Sequence, residues 1–197
     1  MQAGNYAEAY CAWRGLAERG DAEAQYNLGW LYHNGEGLVI NDREAVGWWE
    51  RAAAQNHPEA LTALGSLYRS GGRDLPKDAA RAVDYFLRAA ERGDEESALL
   101  LRALLAKNDA SVRDRSGEIL MKHGGALGAS LAVNVDNAAL RKSPAKEAAT
   151  LAAMARGASV VELSHRNGWT QVGDPASGLI GWIKGSQLKS INGVRDD

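Results

Sequence analysis

The side chains that most often carry out catalysis or hold metals are few and scattered in this sequence. The histidines His33, His57, His123 and His165 are widely spaced, and they form no His-Glu-x-x-His motif. Cys11 is the only cysteine, which excludes an internal disulfide and a cysteine-cluster metal site. The chain also lacks a glycine-rich phosphate loop and the G-x-S-x-G elbow of serine hydrolases. The sequence therefore predicts a protein that is not an enzyme, with no metal site and no cofactor.

Composition divides the chain into an acidic first part and a smaller basic second part. Residues 1–121 carry 14 Lys or Arg against 19 Asp or Glu, whereas residues 122–197 carry 9 against 6. The overall charge of −2 lacks the basic excess that is typical of nucleic-acid-binding proteins. Apolar runs are far shorter than the roughly 20 residues that span a bilayer. We expect two domains, no nucleic-acid partner and no membrane span, while the oligomeric state is left undetermined.

A repeated unit runs through the acidic part. The segment Glu23–Tyr32 aligns with Glu59–Tyr68, and the matching glycines Gly29 and Gly65 are 36 residues apart. Apolar residues in each copy recur at spacings of three and four, which predicts two helices per copy. A glycine inside a helix costs about 1 kcal/mol relative to alanine, so we expect it where the partner helix crosses closely. A third, downstream copy is degenerate because Arg102 replaces the glycine.

The second helix of each copy is marked by an aromatic residue and by an aspartate at its start. Trp49 in the first copy corresponds to Phe86 in the second, and Asp42 and Asp78 are expected to cap the free N–H groups of the two helices. This pattern resembles the Sel1-like repeat, a longer relative of the tetratricopeptide repeat, over residues 4–122. The resemblance implies a right-handed α-solenoid whose first helices line a concave, protein-binding face.

After residue 130 the pattern changes to short strands and tight turns. Asn167-Gly168 separates two apolar segments and is the strongest short signal for a β-hairpin, since both residues accept positive φ. Further strands are predicted at 178–183 and 187–188. Residues 143–157 conflict with this pattern, because Ser, Pro and a closing Gly there are typical helix-end residues.

Four segments of this second part together resemble a bacterial SH3-like domain: 139–144, 157, 167–169 and 181–183. The resemblance covers about 131–191 and implies a small all-β barrel with a strand at Thr150–Met154, which we prefer to the helix. The predicted fold class is α+β and multidomain. Its parts are an N-terminal α-solenoid of helix pairs at 1–122, a linker at 123–130, an SH3-like β-barrel at 131–191 and a tail at 192–197.

By analogy with tetratricopeptide repeats, one face of each first helix should line the solenoid groove and contact a partner. Trp30 is informative because its counterpart is Ser66, so the scaffold does not require an aromatic there, and aromatic side chains are frequent interface anchors. The alternative is that Tyr26 and Trp30 pack against a neighbouring helix. The predicted groove residues are Glu23, Tyr26, Trp30 and His33 in the first copy and Glu59, Thr62, Ser66 and Arg69 in the second.

Trp169 and Trp182 occupy positions that the SH3-like pattern commonly fills with tryptophan. Together with Arg141 they form a candidate ligand surface for a peptide or a glycan. The alternative is that both tryptophans support the core. Domains of this family often act in the cell envelope, where they attach to peptidoglycan or to short peptides.

The two resemblances together imply an exported bacterial protein of the periplasm or cell envelope. Residues 1–6 lead directly into what would be a repeat's second helix, so we expect the natural N-terminus, with a signal peptide, to lie upstream. The preferred interpretation is a non-enzymatic adaptor whose groove binds a protein or peptide partner. The alternative is a regulatory or targeting subunit of a cell-wall enzyme whose SH3-like domain binds peptidoglycan.

Overall fold

A computed structural model of the chain describes residues 5–107 and 110–191. Helices occupy its first part and antiparallel strands its second, so the predicted α+β class is confirmed. The helices are α1 (Asn5–Glu18), α2 (Ala22–Asn34), α3 (Asp42–Ala54), α4 (Pro58–Ser70), α5 (Ala79–Ala90), α6 (Glu95–Ala106) and α7 (Ala110–Leu127). The strands are β1 (Ser130–Val133), β2 (Ala138–Arg141), β3 (Thr150–Met154), β4 (Ser159–Arg166), β5 (Trp169–Gly173), β6 (Ile180–Lys184) and β7 (Leu188–Ser190). The expected tail at 192–197 lies outside the described residues.

Side chains at the helix ends explain where the repeated helices begin. Asp21 accepts a hydrogen bond from the Ala24 N–H and caps α2, and Asp78 caps α5 in the same way. The cap of α3 is Asn41 rather than the expected Asp42, which is instead the first residue of the helix and is buried. Helix α2 ends at Gly35, whose φ of 73° is a left-handed conformation that a side chain would strain.

The solenoid helices pack in pairs, α2 with α3 and α4 with α5, and each pair meets at the predicted glycine. An added Cβ at Gly65 would lie 2.6 Å from Cε1 of Phe86, and one at Gly29 would overlap the Trp49 ring. Each glycine therefore makes room for the aromatic side chain of the partner helix. Phe86 is fully buried and Trp49 is 3% exposed, so these rings form the centre of the two pairs.

The strands form a seven-stranded antiparallel sheet in the order β3-β2-β6-β5-β4-β1-β7. Asn167 and Gly168, with φ of 50° and 76°, make the predicted tight turn between β4 and β5. Residues 150–154 form a strand, as the resemblance implied, because their backbone pairs with β2. The buried core on one face of the sheet comprises Val133, Ala138, Leu140, Met154, Val160, Val172 and Ile183.

Helix α7 belongs with the sheet. The described chain divides into two compact units between Ser97 and Ala98, so α7 lies in the same unit as the sheet. Its Leu120 packs against Gly173, and its Gly124 lies against Val161 of β4. The predicted linker at 123–130 is helical through 127 and enters β1 at 130.

Candidate functional site

A groove of about 460 Å³ lies within the first unit, between the first helices of the two repeats and the start of α6. It is lined by Tyr26, Pro58, Glu59, Thr62, Ala63, Ser66, Asp94 and Glu96. Helix α2 contributes Tyr26, and α6 contributes Glu96. The five lining residues from Pro58 to Ser66 belong to α4. Four of the eight predicted groove residues are thus brought together here: Tyr26, Glu59, Thr62 and Ser66.

Asp94 lines the groove and is held by four hydrogen bonds. Its Oδ2 accepts from the hydroxyls of Thr62 at 2.8 Å and Ser97 at 2.9 Å, and its Oδ1 accepts from the backbone N–H groups of Glu96 and Ser97. Burial raises the pKa of this carboxyl, but the hydrogen bonds outweigh burial and leave the pKa below its ordinary 3.8. Asp94 therefore presents a fixed negative charge at neutral pH.

Tyr26 lines the groove, and His57 supports its ring from outside the lining. The two rings stack with centroids 5.1 Å apart, and the His57 side chain is only 10% exposed. His57 Nε2 lies 3.0 Å from Glu23 Oε2, and its Nδ1 lies 3.3 Å from Glu59 Oε2. Burial, followed by the nearby charges of Glu59 and Glu23, raises the pKa of Tyr26, so the phenol stays neutral. The imidazole is thus within hydrogen-bonding distance of Glu23, whereas its Nδ1 lies near Glu59 without forming a hydrogen bond.

The other predicted groove residues lie outside this lining. His33 Nδ1 is 2.6 Å from Oδ1 of the buried Asp42, and its ring lies 5.4 Å from that of Trp49, so His33 serves the contact between α2 and α3. Trp30 is 39% exposed, and Arg69 is exposed one turn beyond Ser66. Glu23 reaches the groove only through His57.

Sequence reasoning missed Asp94, Glu96, Pro58 and Ala63 as lining residues. Asp94 and His57 each stand immediately before a first helix, as Asp21 does before α2. Of these three residues only Asp94 lines the groove, so the equivalent positions gave no reliable signal for it. Glu96 was missed because the third copy is degenerate and gives no register for α6.

In the second unit, the predicted ligand residues share one face of the sheet. Trp182 lies opposite both Arg141 of β2 and Gln171 of β5, and Trp169 stands two residues before Gln171. Successive strand residues alternate between faces, so this face is opposite the Val172 core. Both tryptophans are half-buried, and Arg141 donates to the Ala148 carbonyl at 2.8 Å.

The described residues contain no group of three or more His, Cys, Asp or Glu side chains placed to hold a metal ion. Within the same residues, every helix is too short or too polar to cross a membrane. The groove combines the Tyr26 ring, the apolar side chains of Pro58 and Ala63, and the carboxylates of Glu59, Asp94 and Glu96.

Comparison with known proteins finds matches to the repeated part of the chain. The Sel1 repeat model matches residues 22–57 and 58–94. The crystal structure of a Sel1 repeat protein from Oxalobacter formigenes is 34% identical and covers 50% of this chain and 73% of that chain, with a TM-score of 0.44. The structure of c5321, a protective antigen of uropathogenic Escherichia coli with an SLR fold, is 27% identical over 62% of this chain, with a TM-score of 0.53.

A curated relative is the chitin synthase regulator SKT5 of Saccharomyces cerevisiae, 31% identical over 99 residues, or 48% of this chain. The chain spans only 14% of that regulator and 26% of c5321. The matched residues coincide with the helix pairs α2–α3 and α4–α5. Residues 22–57 and 58–94 of this chain therefore match the Sel1 repeat, each over one helix pair.

Proposed function

We propose that this protein is a non-enzymatic adaptor of the bacterial cell envelope whose solenoid groove binds a segment of a partner protein. The observation that carries the proposal is the groove itself, which takes its lining from both repeats and from α6. A surface assembled from several helices recognises a partner only when the repeats are stacked, as in other solenoid proteins.

The family supports the binding role. Sel1 repeats are in general non-enzymatic scaffolds for protein interaction, and no catalytic family is indicated. The matched yeast protein is described as a regulator of chitin synthase, which agrees with a role exerted on another protein. The location in the cell envelope rests on the resemblance of the second unit to a bacterial SH3-like domain.

A peptide-binding experiment tests the groove. A random peptide library displayed on phage is selected against the full chain, and the enriched peptides are measured by fluorescence anisotropy. Ser66→Trp fills the groove and should abolish binding. The matched control Ala54→Trp adds the same side chain at an exposed position of α3 and should leave binding unchanged. Equal binding by both variants would place the peptide elsewhere and contradict the proposal.

Peptidoglycan binding by the second unit is the alternative function. Its support is the sheet face that carries Arg141, Trp169 and Trp182, because tryptophan rings offer flat apolar surfaces to sugars and peptides. The full chain should co-sediment with isolated peptidoglycan, and Trp182→Ala should reduce this. The control is Trp30→Ala, which removes an exposed tryptophan of the other unit and should leave sedimentation unchanged. Failure of the wild-type chain to sediment would reject this alternative.

Fractionation tests the location. In the organism that carries the gene, osmotic shock should release the native protein with periplasmic markers. Recovery with cytoplasmic markers would reject the envelope role while leaving the groove as a binding site.

A further inference from the structure

The charges that line the groove are all negative. Glu59, Asp94 and Glu96 contribute three carboxylates, whereas the lining includes no Lys, Arg or His. The proposed binding site is the groove itself, defined by its volume and its apolar surfaces. The carboxylates determine which charge a ligand in the groove should carry. Asp94 already has hydrogen-bond partners, but a ligand that fills this space would dehydrate the exposed carboxylates of Glu59 and Glu96. Positive charge on the ligand would offset that cost.

The basic side chains on neighbouring elements do not neutralise these carboxylates. His57 contacts Glu59 but is shared with Glu23, so one imidazole faces two acids even when it is protonated. Arg88 of α5 donates instead to the carbonyl of Ala53. Among the described residues, no lysine or arginine forms an ion pair with Glu59, Asp94 or Glu96.

The uncharged lining suits the alkyl part of a basic side chain. The Tyr26 ring is stacked on His57 and is thereby fixed in place, and Pro58 and Ala63 add apolar surface. A lysine or arginine stem can lie along such surfaces while its charged end reaches a carboxylate. An arginine can also stack on the tyrosine ring through a cation–π contact.

We propose that the groove binds a lysine- or arginine-bearing segment of the partner protein. Glu59 and Glu96 contact the cationic groups, Asp94 provides a fixed negative charge in the lining, and Tyr26 packs against the side-chain stems. This inference rests on the proposed adaptor function and specifies the chemistry of its partner.

The test uses the full chain and the peptides that the phage library yields. We expect enriched peptides to contain lysine or arginine. Replacement of those residues by norleucine or citrulline, which keeps the shape and removes the charge, should weaken binding by roughly twofold to thirtyfold, since two exposed ion pairs are lost. Higher salt should also weaken binding, because exposed charge pairs are screened.

Two double variants that remove the same charge, one inside and one outside the groove, show which carboxylates the peptide contacts. Glu59→Gln with Glu96→Gln should weaken binding by a similar factor. Glu8→Gln with Glu147→Gln removes the same charge from exposed positions outside the groove and should have little effect. Equal weakening by both pairs would mean that overall charge attracts the peptide, and it would overturn the proposal.

The remaining outcomes separate this inference from the adaptor function. Peptides without lysine or arginine that lose binding in Ser66→Trp would confirm a binding groove and overturn the basic-segment proposal. A library that yields no binding peptide would overturn both.

Discussion

Replacing Gly29 by alanine should destabilise the protein, although alanine is the better helix former. The added Cβ would overlap Cδ1 and Nε1 of Trp49. This indole cannot easily move, because its N–H donates to the Tyr26 carbonyl at 3.0 Å. Alanine gains roughly 1 kcal/mol in helix propensity, whereas overpacking costs about 1–3 kcal/mol and the lost hydrogen bond about 1 kcal/mol. We therefore expect a net loss of about 1–3 kcal/mol in the free energy of unfolding.

Gly47 provides the matched control for this substitution. It also lies inside a helix, α3, but an added Cβ there meets no atom within 4 Å. Gly47→Ala should therefore stabilise the protein by up to roughly 1 kcal/mol. Urea titrations followed by far-ultraviolet circular dichroism should place the midpoint of Gly47→Ala above that of the wild type and the midpoint of Gly29→Ala below it. A Gly29→Ala midpoint at or above the wild type would refute the close approach of the two helices.

Three further perturbations can be checked by similar means. Asp94→Asn should lower stability by under about 1 kcal/mol at neutral pH. Because the folded-state pKa of Asp94 lies below its ordinary 3.8, the difference should shrink as the pH falls below 3.8 and vanish once the pH has fallen through the lower, folded-state pKa; a pH-independent difference would contradict this. Asp42→Ala leaves His33 and the Arg73 N–H without their hydrogen-bond partner and should lower the free energy of unfolding by about 2–3 kcal/mol in urea titrations. A loss no larger than that caused by replacing an exposed glutamate with alanine would contradict this prediction. Removing residues 131–197 should cause aggregation on size-exclusion chromatography, because Leu120 loses the sheet that covers it; a monodisperse shortened chain would contradict the packing.

Much of the solenoid could be predicted because its contacts are local and repeated. The recurrence of Gly29 at Gly65 and of Trp49 at Phe86 indicates which helices pair and where they cross, since each copy must bury the same face. The hairpin at Asn167-Gly168 was predictable for a related reason, because few residue pairs accept positive φ at both positions.

The site was predicted less completely. The face of each first helix could be inferred from spacing, and Tyr26, Glu59, Thr62 and Ser66 do line the groove. His33 was assigned to the groove because it shares the spacing of that face, but it bonds to Asp42. Spacing gives the direction of a side chain around one helix and not the partner it finds on another.

The sequence by itself determines the repeats, the helix pairs within them, the hairpin and the scarcity of catalytic motifs, because these depend on residue types at short separations. Only the tertiary structure brings Asp94 beside Thr62 in the lining of a groove and packs α7 on the sheet at Gly173. Both contacts join residues that are far apart in the chain and lie where the repeat pattern has faded. No local periodicity specifies such pairs, so they follow from how the whole unit buries its remaining apolar and polar surface.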